Sequence, residues 1–137
     1  MLGEYKEILN EVARLASIRR IKEEREGKTS FHVGDGIDEK LERILSGEKS
    51  ELESFLVAQD FESVKVVQTV MYVGRNVSND ELQNNPNLSP EIIYVNERKG
   101  LDELGWNKKE IEVHQICEKG QLDRYIKRGM EILKVID

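Results

Sequence analysis

The chain of 137 residues has one cysteine, two histidines and one tryptophan, and only 6% of it is aromatic. The single cysteine, Cys117, excludes an internal disulfide framework and a cysteine-rich metal knuckle. No stretch approaches the ~18–20 uncharged apolar residues of a membrane span. The opening MLGEYKEILNE is acidic and amphipathic, so no secretory signal is expected. A cytoplasmic protein is the natural expectation. The sequence lacks both G-x-x-x-x-G-K-[ST] and G-x-G-x-x-G, so the Gly34-Asp35-Gly36 loop is no phosphate motif. The segment Asp35–Glu39 does not match the spacing of a calcium loop either. The sequons at Asn76 and Asn87 are chance matches if the chain is not secreted.

What is present is charge. Charged residues make up 35% of the chain, with a net charge of −6. Residues 35–63 carry nine acids against three bases, a local balance of −6. Residues 14–28 balance to +3, and so do residues 119–134. The two basic segments suit complementary contact with the acidic middle, within one chain or between chains. Exposed ion pairs are individually worth only ~0–1 kcal/mol, so solvated helix faces explain most of this pattern. General duplex binding needs a denser basic surface and is disfavoured.

Apolar spacing indicates helices. Tyr5, Ile8, Leu9, Val12, Leu15 and Ala16 form an amphipathic stripe that predicts a long N-terminal helix over 4–26, with Ile18 and Ile21 drifting around the face. Gly27 is its expected stop, followed by a loop over 27–36 and a helix over about 37–46. Ser50-Glu51-Leu52-Glu53 is an S-x-x-E capping box and starts the next helix. The segment 61–73 is rich in valine, but its alternation is poor and no clear partner strand exists, so a helix with Gly74 just past its end is expected. The alternative is an α+β fold with a small two-stranded element from 64–73 and 91–95. Ser78 opens one short helical turn, and Asn84–Asn87 breaks it. Ser89-Pro90-Glu91 reads as N-cap, N1 and N2 of a helix ending at Gly100. Asn107-Lys108-Lys109-Glu110 reads as another cap, with Ile111, His114 and Cys117 sharing a face of the helix it opens. The strictest stripe is Leu122, Tyr125, Ile126, Gly129, Met130, Leu133 and Ile136, in a helix over 121–136. Gly129 within that stripe points to a close helix–helix approach. The prediction is one all-α domain over 1–137 with six or seven helices, divisible if anywhere at the 76–90 connection.

Catalytic material is scarce. Glu110, His114 and Cys117 share a helix face, but they offer neither four zinc ligands nor a nucleophile with an orienting third group and an oxyanion hole. No metal and no cofactor are expected. Arg75 follows Gly74 and can grip helix-end carbonyls or an acid such as Asp80. Its functional alternative is an anion or peptide-carboxylate contact through the forked guanidinium.

An apolar helix ending Tyr72-Val73-Gly74-Arg75, with a later helix carrying Tyr125-Ile126-x2-Gly129-x3-Leu133, resembles a family of small bacterial helical domains of unknown function that share a W/Y-x-G-R helix end. The likeness spans residues 50–135. The chain departs from it at Tyr72, where tryptophan is expected, and in the long 76–90 connection. The resemblance implies a helical fold and a bacterial origin, and no activity.

The leading expectation is a non-catalytic module that binds another protein or itself, with the N-terminal helix as the first candidate surface. One alternative is a regulatory nucleic-acid contact through Arg14, Arg19, Arg20, Lys22 and Arg25. Another is a small enzyme with a pocket around Glu110, His114 and Tyr125.

Overall fold

The computed structural model describes residues 2–29 and 50–135. Among them all regular structure is helical, and no strand occurs. A 3-10 turn at Gly3–Tyr5 leads into α1 (Lys6–Thr29), followed by α2 (Glu51–Val57) and α3 (Phe61–Asn76). Next come α4 (Asn79–Asn84), α5 (Pro90–Leu104), α6 (Lys109–Cys117) and α7 (Leu122–Ile132). The expected helix over 37–46 lies outside the described residues. No helix is long and apolar enough to cross a membrane among the residues described.

The middle of the fold is α3. Val64, Val66, Val67, Val70, Met71 and Val73 are all buried and cover one half of the helix circumference, with Ser63, Gln68, Thr69 and Gly74 buried beside them. A helix with so wide a buried face belongs in the interior. That explains the missing period in 64–73, and the helical reading holds over the two-stranded alternative. Tertiary burial overrides the modest helix propensity of valine. On α3 pack α7, α5, α6 and α1. Leu9, Val12 and Ala16 of α1, Leu52 and Leu56 of α2, Val113 and Ile116 of α6, and Leu122, Ile126 and Met130 of α7 complete one continuous apolar cluster.

Three serine caps form as their spacing predicts. Ser50, Ser78 and Ser89 accept hydrogen bonds from the backbone N–H groups of Glu53, Glu81 and Ile92, at 3.1, 3.0 and 3.2 Å. Each satisfies one orphan donor of a first helical turn. The glycine stops are a different matter. Gly27 does not end α1, which continues to Thr29. Gly74 and Gly100 lie inside α3 and α5, which end at Asn76 and Leu104. The stop after α5 is Gly105, whose φ of +90° admits glycine readily.

Gly129 does mark a close approach, and Gly74 is its partner. A Cβ built on Gly74 would lie 1.8 Å from the Tyr125 carbonyl oxygen and 2.8 Å from the Gly129 nitrogen. A Cβ on Gly129 would lie 2.2 Å from the Val70 carbonyl oxygen. The α3 and α7 backbones therefore cross in contact, glycine over glycine.

Two further differences concern helix ends. The cap expected at Asn107 is displaced by one residue. Lys108 occupies the cap position, while the Asn107 backbone N–H and side-chain amide donate to the buried Glu112 carboxylate at 3.0 and 3.1 Å. The last helix stops at Ile132, short of the expected 136, because Lys134 turns left-handed at φ 54°. Val135 N–H then bonds the Met130 carbonyl at 2.9 Å and Lys134 N–H bonds Glu131 at 3.2 Å, a Schellman closure. A left-handed non-glycine residue costs ~1–2 kcal/mol. Lys134→Gly is expected to raise unfolding stability by about 1 kcal/mol, seen as a higher urea midpoint at an unchanged slope. An unchanged or lower midpoint would show that the lysine side chain offsets its strain.

Candidate functional site

Two of the arginines expected to meet a ligand, Arg19 and Arg20, turn inward. Arg19 donates through Nη1 to the Cys117 carbonyl and through Nη2 to the Lys119 carbonyl at 2.8 Å, clasping the negative end of the α6 dipole. Arg20 forks onto Asp123, with Nε 3.1 Å from both carboxylate oxygens. Arg14 pairs with Glu11 on its own helix. Among the described side chains of 14–22, these three arginines are thus engaged within the fold, which weakens the basic segment as a phosphate-binding row. Arg19 and Arg20, expected as ligand contacts, form clasps between α1 and the α6–α7 turn.

Arg75 is exposed, with its guanidinium 5.9 Å from the Tyr72 ring centroid. The grip on the end of α3 comes from Arg128 instead, whose Nη1 donates to the Gly74 carbonyl at 2.8 Å and Nη2 to Asn79 Oδ1 at 3.1 Å. The signal for Arg128 was its position beside Gly129, at the crossing. His114 stands on the outer side of α6, 3.0 Å from Glu118. Val113 and Ile116 form the buried face, and Ile111 and His114 share the exposed one. Tyr125, half-buried on α7, lies where α7 meets Gly74. No hydrogen bond or ion pair among the described residues joins it to His114 or Glu110, and neither surface hollow described below includes His114. Burial pushes the Cys117 thiol up to about 12, which keeps it a protonated, poor nucleophile at neutral pH. No group of three His, Cys, Asp or Glu able to hold a metal occurs among the described residues.

The most elaborate polar cluster joins α5 to α3. Arg98 donates to both Glu62 oxygens at 2.8 and 3.2 Å and to Asp102 at 3.0 Å. The indole of Trp106 donates to the same Asp102 oxygen at 2.7 Å. Its ring lies under two cations, Arg98 at 5.6 Å and Lys65 at 5.4 Å. The hydrogen bond from Arg98 holds the Glu62 carboxyl below its usual range, and those from Trp106 and Arg98 do the same for Asp102. Near the other end of α3, Asn76 reaches Glu97 at 3.3 Å. The inner side of α5 is therefore tied down along its length, with its charges mutually satisfied. Such a cluster positions a helix and has no unpartnered acid or base to offer a substrate.

The outer side of α5 is different. Ile92 and Val95 are 46% and 57% exposed, with Leu88 just before the helix and Leu104 at its end. Of seven exposed large hydrophobic residues among those described, these are four, so exposed apolar surface concentrates on this element. A shallow hollow of about 400 Å³ runs along it, lined by Tyr94, Val95, Arg98, Lys99, Asp102 and Glu103, so the Arg98–Asp102 pair borders the same surface. A second, of about 370 Å³, lies between α1 and α7 near Arg14, Ile18 and Lys127. Most of the α1 stripe, from Leu9 to Ala16, is buried within the fold, leaving Ile18 and Ile21 outside.

Comparison with protein-family models, curated proteins and solved structures finds no match to this chain. The Tyr72–Arg75 motif lies in the last turn of α3, which ends at Asn76.

Proposed function

We propose that this protein is a non-catalytic helical interaction module and that it docks a protein partner on the outer side of α5. The observation that carries this reading is that a helix pinned to α3 through Arg98 and Glu62 leaves Ile92 and Val95 open to solvent beside the pinning residues. A helix held in this way binds without ordering a flexible segment, which lowers the entropy lost on association. The inward-turned arginines and the protonated Cys117 favour binding over chemistry. A cytoplasmic setting belongs to the same proposal and rests on the single cysteine.

The test is photocrosslinking in the cells that make the protein, with p-benzoylphenylalanine at Val95 and, as a control, at the exposed Glu131. A discrete adduct specific to position 95 is the expected result, whatever its second component. Adducts no stronger at 95 than at 131 would overturn the reading.

A further inference from the structure

We infer that the partner seated on α5 is a second copy of the same chain, bound antiparallel about a two-fold axis at Val95; this rests on the α5 reading above. Glu91, Val95 and Lys99 follow one another at four-residue spacing, so they lie along one stripe of the helix. All three are exposed, and neither Glu91 nor Lys99 has a hydrogen-bond or ion-pair partner among the described residues. With a rise of ~1.5 Å per residue, each charge stands about 6 Å from Val95, one on either side. Read forward, the stripe is negative, apolar, positive; read backward, it is positive, apolar, negative. The surface is therefore complementary to itself in one orientation. An antiparallel copy brings Glu91 of each chain against Lys99 of the other, twice, around a Val95–Val95 contact. Ile92 of each chain then packs against Val95 and the aliphatic stem of Lys99 across the axis. A parallel copy would oppose like charges. A two-fold contact requires such self-complementarity, because the same patch serves both partners. Two four-turn helices cover less than the ~1,600 Å² of a standard interface, so the dimer is a reversible one.

Sedimentation velocity on the full chain from about 5 to 500 μM tests this. The expected result is a concentration-dependent rise from monomer to dimer mass, abolished in Val95→Asp. Glu91→Lys and Lys99→Glu are each expected to weaken association at least tenfold. Mixed in equal amounts, these two variants are expected to dimerise more tightly than either alone, because each Lys then meets a Glu. Circular dichroism checks that the variants stay folded, as exposed positions allow. Monomer mass at every concentration, dimers indifferent to Val95→Asp, or a mixture no tighter than its components would each overturn the dimer. A foreign protein in the Val95 crosslink would overturn the dimer while leaving the α5 docking face standing. Absence of any adduct specific to position 95 would remove both.

Discussion

Gly74→Ala is expected to lower stability by about 3 kcal/mol, the upper end of typical overpacking costs. The added methyl has no side chain to push aside. It meets the Tyr125 carbonyl oxygen at 1.8 Å and the Gly129 nitrogen at 2.8 Å, both backbone atoms of the facing helix. Relief requires α3 and α7 to separate, and that opens the most extensive helix pairing of the core. The gain in helix propensity, ~0.5–1 kcal/mol, offsets only part of this. Gly129→Ala meets Val70 in the same way and should behave alike. Gly100→Ala is the control: nothing lies within 4 Å of its new methyl, so propensity alone acts and stability should rise by about 0.5–1 kcal/mol. Urea denaturation of the three variants reads the contrast. A Gly74→Ala variant as stable as the parent would mean that the two backbones do not touch.

Asp123→Ala is expected to cost about 3 kcal/mol. The Asp123 side chain is 2% exposed and that of its partner Arg20 is 18% exposed, so removing the carboxylate takes a forked acceptor from a guanidinium in a largely dry site. Breaking such a pair typically costs ~3–5 kcal/mol, and the residual exposure of Arg20 places this one at the low end. The acid limb carries the same signature. Burial alone would raise the Asp123 carboxyl, but the hydrogen bonds and charge of Arg20, helped by the Arg124 N–H and Lys127, outweigh it and hold the pKa below its ordinary value. A depressed carboxyl contributes stability that is fully present above the unfolded pKa, ~3.9, and is lost as pH falls through the lower folded value. Glu62 and Asp102 act in the same direction, from more exposed positions. Stability measured from pH 6 downward should therefore fall below about pH 4, and Asp123→Ala should fall less steeply. Parallel acid limbs for parent and variant would remove Asp123 from the balance.

Sequence reading succeeded where the determinant was local. The serine caps before Glu51, Asn79 and Pro90 need only a hydroxyl three residues ahead of an N–H. The α7 stripe needs only a regular period over one buried face. It failed where a residue's role is set by what lies across from it. Gly27, Gly74 and Gly100 have the composition of helix stops, yet among the described glycines only Gly105 has a positive φ, and Gly74 serves the crossing instead. Arg19 and Arg20 look like a basic patch until α6 and α7 arrive with carbonyls and a carboxylate. On α6, apolar residues occur on both sides, so spacing could not say that Val113 and Ile116, rather than Ile111, face the core. The pinning role of Arg98 depends on Glu62, distant in sequence, and no short motif announces it.

Trp106 sits in the seam between α5 and α3, and it is the only tryptophan of the chain. Its emission therefore reports one place. When α5 lifts away, the indole parts from Lys65 of α3 while keeping Asp102 and Arg98 of its own helix, and its spectrum shifts even if the rest of the bundle stays folded. Far-ultraviolet dichroism, by contrast, averages over every helix. Comparing the two signals during a single unfolding experiment measures whether the docking helix and the central bundle melt as one cooperative unit or as two.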